Sequence, residues 1–168
     1  MTAGRLTYVG HATLLIELDG ARILTDPVLR KRIGHIVRQS PPPPAEELLP
    51  LDAVLISHAH ADHLDLPSLR MVARGTRVVV PRGCEPLVRR TGAGRVMALA
   101  VGGGVRVGAV GVTAWHADHD GRRHPLARST PALSYLLAGT TRVYFAGDTD
   151  LHDGMACLLY TSPSPRDS

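Results

Sequence analysis

Ser57-His58-Ala59-His60-Ala61-Asp62-His63-Leu64-Asp65 places three imidazoles and two carboxylates in one short stretch, directly behind Ala53 to Ile56, an apolar run that reads as a short buried strand. On extended chain, residues two apart share a face, so His58 and His60 aim the same way and one cation sees both rings. Asp62 and His63 follow where the strand gives way to a loop or helix start, and their side chains reach a second position a few ångströms off. The spacing therefore points to two metals rather than one. Neutral imidazole and carboxylate suit Zn2+ and related divalent ions, and a catalytic site uses such ligands while leaving a position open for water. The plainer alternative is a polar turn that happens to be rich in histidine; a lone histidine would favour it, but the whole pattern placed behind a strand does not.

His58-x-His60-x-Asp62-His63 resembles the signature of the metallo-β-lactamase-fold hydrolases. Val9-Gly10-His11-Ala12-Thr13, Ile23-Leu24-Thr25-Asp26-Pro27 and Tyr144-Phe145-Ala146-Gly147-Asp148-Thr149-Asp150 narrow it. Together these resemble the branch holding the ascorbate-phosphate lactonases and the N-acylphosphatidylethanolamine phospholipases D, over roughly residues 5 to 156. The resemblance implies an α/β fold, an αββα sandwich of the metallo-β-lactamase type built from two similar halves. It implies a hydrolase that uses a dizinc-type site to activate water against an ester, lactone or phosphodiester, with Mn2+ or Fe2+ as alternatives to Zn2+. Its substrate is expected to be small or lipid-like.

The resemblance also implies a ligand set. His58 and His60 need a third histidine for the first metal, in an Ala-x-His context after a strand; Ala117-Asp118-His119 fits that register better than His116, and His124 less well than either. Asp148 matches the carboxylate that bridges both metals, which suits the chemistry because a shared carboxylate lowers the repulsion between neighbouring dications. Asp62 and His63 would hold the second metal, with Asp62 also acting catalytically by orienting the water. His11, Asp26 and His116 are expected as support around these ligands. For Asp26 the residues give two readings, a carboxylate accepting the spare N–H of a ligand imidazole or a plain Asp-Pro turn starter.

Length and composition fit one soluble domain. The chain has 168 residues, 44% hydrophobic and 4% aromatic, enough for one core and short for two. Its basic residues include a single lysine, Lys31, and the net charge of +4 is spread along the chain, which argues against a nucleic-acid partner. Cys84 and Cys157 form no disulfide pattern. No secretory signal or membrane-spanning run is apparent, so a cytoplasmic protein is expected.

Residues 5 to 9, 13 to 18 and 21 to 25 read as an antiparallel meander with Asp19-Gly20 at a hairpin. Residues 28 to 50, with Arg30-Lys31-Arg32 and Pro41 to Pro44, read as a surface excursion. Helices are predicted from Asp65 to Arg74 and from Gly83 to Thr91, alternating with strands at 77 to 81 and 95 to 99 as in an α/β layer. Val101-Gly102-Gly103-Gly104-Val105 lacks the ending of a phosphate loop and reads as a turn. Strands follow within 105 to 115, at 133 to 137 and at 142 to 145.

Residues 157 to 168 depart from this pattern. Cys157 to Asp167 back-translates into the transposase adapter used in preparing sequencing libraries, so this stretch is expected to be a translated artefact behind a partial metallo-β-lactamase-like domain, residues 1 to 156. The resemblance places a last metal histidine downstream of the bridging aspartate, whereas here only His152 follows Asp148. The expected consequence is an incomplete second half. The competing functional expectation is therefore an inactive fragment with at most partial metal binding.

Overall fold

A computed structural model of the chain describes residues 4–124 and 129–155; Cys157 and the 157–168 stretch lie outside the described residues. Strands β1 (Arg5–Gly10), β2 (Thr13–Leu18) and β3 (Ala21–Thr25) form the predicted meander. Asp19 at φ 48° and Gly20 at φ 81° make its second turn, the left-handed pair that a two-residue hairpin needs to match strand twist.

The segment after β3 is less of an excursion than its prolines imply. It contains a short hairpin of β4 (Arg32–Ile33) and β5 (Ile36–Val37), then one helical turn, α1 (Ala45–Leu48). Val28, Leu29, Ala45 and Leu48 are buried, so apolar residues at both ends tie the segment down while its middle stays exposed.

Beyond it the chain runs in parallel crossovers: β6 (Ala53–Leu55), α2 (Leu66–Val72), β7 (Arg77–Pro81), α3 (Glu85–Arg89) and β8 (Arg95–Leu99). Strand order in this sheet is β1-β2-β3-β6-β7-β8, antiparallel through β3 and parallel from there on. A second, antiparallel sheet has the order β12-β11-β10-β9, from β9 (Gly104–Val107), β10 (Val110–His116), β11 (Leu133–Ala138) and β12 (Arg142–Phe145).

Alternation along the strands sorts the core into two layers. Leu15, Leu24, Val54 and Val78 face the helices, meeting Leu48, Leu69 and Val88. Ile16, Ile23, Leu55 and Val79 face the second sheet, meeting Val112, Leu133, Tyr135 and Leu137. The layers are helix, sheet, sheet, which is the expected α/β sandwich; among the described residues no helix covers the outer face of the second sheet. β6, covered on both sides, is wholly buried, as its continuous apolar run requires.

One anchor positions everything that follows. At the end of β6, Ile56 N–H donates to Val79 O (2.9 Å) in its own sheet while Ile56 O accepts from Tyr135 Oη (2.7 Å) of the other. Ser57 O accepts from Leu133 N–H (2.9 Å). Both sheets thus hold the backbone from which the histidine-rich turn departs.

Candidate metal centre

Strands β1, β3 and β6 run the same way, so His11, Asp26 and the 57–63 turn all emerge at one edge of the sheet, at carboxyl ends of strands. The loop after β10 and the end of β12 bring His119 and Asp148 to the same edge. β6 stops at Leu55, so His58 and His60 both lie beyond the strand, His60 on a bend. They meet all the same, with His58 Nε2 2.9 Å from His60 Nδ1.

Among the described residues three overlapping groups of ligand atoms result, each with its atoms within 4.8 Å of one another: His58, His60 and His119; His11, Asp62 and His63; and His58, His63 and Asp148. His119 Nε2 lies 3.2 Å from His60 Nδ1. Asp148 belongs to a group that takes one histidine from each of the other two. His63 and Asp62 sit beside it, with His63 Nε2 3.0 Å from Asp148 Oδ2 and 3.9 Å from Asp62 Oδ2.

Asp26 lies beneath the cluster, fully buried, at φ 33°. Its Oδ2 accepts from His63 Nδ1 (2.8 Å) and Ser57 Oγ (2.6 Å), and its Oδ1 from Ser57 N–H (2.7 Å). Of the two readings of Asp26, the carboxylate supporting an imidazole describes these contacts. With Nδ1 donating, His63 Nε2 carries a lone pair, yet it is buried, has no hydrogen-bond partner among the described residues and faces carboxylate oxygens. A lone pair opposed by anions is tolerable only with a cation or proton between them, so the donor set fits a divalent metal.

The electrostatics agree. Burial, then the neighbouring rings of His63, His60, His119 and His11, pushes His58 down to about 2, which keeps it neutral and ready to ligate. Burial opposes protonation of His63, but the Asp26 hydrogen bond and the charges of Asp26, Asp148 and Asp62 outweigh it and raise its affinity for positive charge. Burial raises Asp26.

One residue expected as support, His116, and the least favoured candidate for the third histidine, His124, stay apart. The exposed His116 packs its ring on His152 at 5.2 Å and joins none of the three groups, and His124 is exposed. Asp65, inside the opening stretch, serves α2: it accepts from Ser68 N–H (3.1 Å) as the helix cap and pairs with Arg30 (2.9 and 2.6 Å).

Three residues had no role in the site assigned to them from the sequence. Ser57 Oγ, besides bonding Asp26, lies 2.9 Å from His58 Nδ1; a hydroxyl immediately before the first histidine was its only signal. Arg123 Nη1 donates to Ala59 O (2.7 Å) and Leu64 O (3.0 Å), clamping the loop of His119 onto the histidine turn. Arg38 donates to Val9 O and to Val28 O (2.8 Å), behind His11.

A family profile described as beta-lactamase superfamily domain matches residues 21–162. An uncharacterized protein of Mycobacterium tuberculosis is 35% identical over 155 residues, 86% of this chain and 42% of that protein. A UPF0173 metal-dependent hydrolase of Aeropyrum pernix is 33% identical over 86% of this chain and 61% of its own length. An N-acyl-phosphatidylethanolamine-hydrolyzing phospholipase D of Caenorhabditis elegans is 32% identical over 88% of this chain and 47% of its own. Among solved structures, CmlA, a diiron β-hydroxylase from Streptomyces venezuelae, superposes with a TM-score of 0.70 at 26% identity, over 96% of this chain and 33% of that one. The chain spans about half the length of the curated relatives it matches.

Proposed function

The chain belongs to the β-lactamase superfamily, and from that membership and the cluster at the sheet edge we propose that it is the metal-binding part of a hydrolase acting on an ester, lactone or phosphodiester. His58, His60 and His119 would hold one divalent ion, Asp62 and His63 a second, and Asp148 both. The relatives named metal-dependent hydrolase and phospholipase D support hydrolysis, and the second name favours a lipid-like substrate over other small molecules. Zn2+ suits a first position made only of imidazoles, with Mn2+ and Fe2+ as alternatives.

When bound, such a pair of ions polarises a carbonyl or phosphoryl oxygen and lowers the pKa of water. The chain's own residues do the rest. Asp62, about a quarter exposed, accepts a hydrogen bond from the attacking water and fixes its direction. Asp26 and Ser57 fix the tautomers of His63 and His58, so that both present Nε2 to the site. The observation that carries the reading is His63 Nε2, buried between two carboxylates with no hydrogen-bond partner among the described residues.

Elemental analysis of the purified chain, alongside turnover of p-nitrophenyl acetate, a γ-lactone and bis(p-nitrophenyl) phosphate, tests it. About two metal equivalents and turnover abolished by chelator are expected, and Asp148→Asn should lower metal content and turnover together. Unchanged activity in that variant removes Asp148 from the site. No metal and no turnover would leave an inert partial domain.

A further inference from the structure

His11 was expected only as support, yet its geometry is that of a ligand. We propose that His11 binds metal directly, closing with Asp62 and His63 the second cation position; this rests on the metal-centre reading above and adds a donor to it.

His11 Nε2 lies 3.1 Å from Asp62 Oδ2, and its ring stands edge-on to His63 with centroids 4.9 Å apart. The ligand atoms of these three residues all lie within 4.8 Å of one another. The independent mark of a ligand site is again His63 Nε2, a member of the same group that is buried and has no hydrogen-bond partner among the described residues.

The backbone is shaped for this aim. His11 sits at φ 54°, a left-handed conformation that costs free energy for any side chain with a Cβ, and such strain persists where surrounding structure enforces it. Gly10 and Arg38 are that structure. A Cβ at Gly10, φ 133°, would come within 3.0 Å of three atoms of the Arg38 guanidinium, which is held on Val9 O and Val28 O. The guanidinium therefore lies flat against the turn that delivers His11.

The position is also accessible. A cavity of about 980 Å³, walled by β1, the β4–β5 hairpin and Pro41 to Pro43, opens onto His11 and Asp62. Their side chains are 40% and 26% exposed, so water or substrate could reach an ion held there.

The competing role is a hydrogen bond from His11 Nε2–H to Asp62 that only orients the carboxylate. His11→Gln separates the two, because the amide can still donate to Asp62 and bears the same backbone strain but is a poor ligand for zinc. Zinc content after desalting is the readout, with His119→Ala as the control expected to empty the first position. Two equivalents in the wild-type chain and one in His11→Gln support the proposal. Two in both overturn it while leaving the hydrolase reading intact. None in the wild type sinks both. A second measurement needs no variant: with the chain loaded with 113Cd, a 113Cd–15N coupling to the His11 ring is expected, and its absence beside couplings from His63 overturns the assignment.

Discussion

Ser57 has one hydroxyl proton, and it goes to Asp26 Oδ2. Its oxygen is then left to accept from His58 Nδ1–H, which turns the Nε2 lone pair of His58 toward His60 and His119. Asp26 does the same for His63 in the other group. One Asp–Ser pair therefore sets the tautomers of a histidine in each proposed position, and Ser57→Ala should weaken both at once, by about 10- to 100-fold in metal affinity. Zinc competition with a chromophoric chelator measures this; loss at only one position would show that Ser57 serves a single ring. Asp26 was only half legible, because a carboxylate before a proline at a strand end serves equally as a turn starter, and its contacts with His63 and Ser57 appear only in the fold. Ser57 was not legible, because its partners come from residues far apart in sequence and a serine before a histidine has many ordinary explanations. His116 could not be placed the same way, because a support role depends on which ring it packs against, and that ring is His152.

At the scale of elements, strands and helices followed their hydrophobic periods closely, from the Asp19-Gly20 hairpin to α2 with Asp65 at its cap. What periodicity does not encode is how loops are held against each other. Apart from His119 the 117–124 loop reads as polar chain, yet Arg123 fastens it to two backbone carbonyls of the histidine turn, groups with no side-chain signature. Removing that side chain leaves part-buried Ala59 O and Leu64 O without their donor, a cost of about 1–3 kcal/mol. Arg123→Met keeps some of the apolar stem and loses the donors, so its melting temperature should fall by that measure. Because the clamp connects the loop of His119 to the turn of His58 and His60, the first metal should also bind more weakly. Calorimetry with and without zinc checks both effects; a stability loss that zinc affinity does not share would make the clamp structural alone.

For the whole molecule, the order of strands follows from alternation and crossover rules, but the extent to which each face is covered does not. Leu6 and Tyr8 on β1 pair with Ile16 and Leu14, so they lie on the face that packs against the second sheet. Ile16 is fully buried there, while Leu6 and Tyr8 remain 57% and 71% exposed. The six-stranded sheet outreaches the four-stranded one at this corner, among the described residues, and β1 is also an edge strand. An apolar face beside unpaired backbone groups is a template for self-association, and lysines on an edge strand oppose it. Leu6→Lys with Tyr8→Lys should therefore reduce the association seen by sedimentation velocity while changing unfolding free energy by no more than about 0.5 kcal/mol per site, as for other exposed positions. If the double variant instead lost several times that amount, these side chains would be packed in solution. The corner would then be covered, and the sandwich would extend over β1.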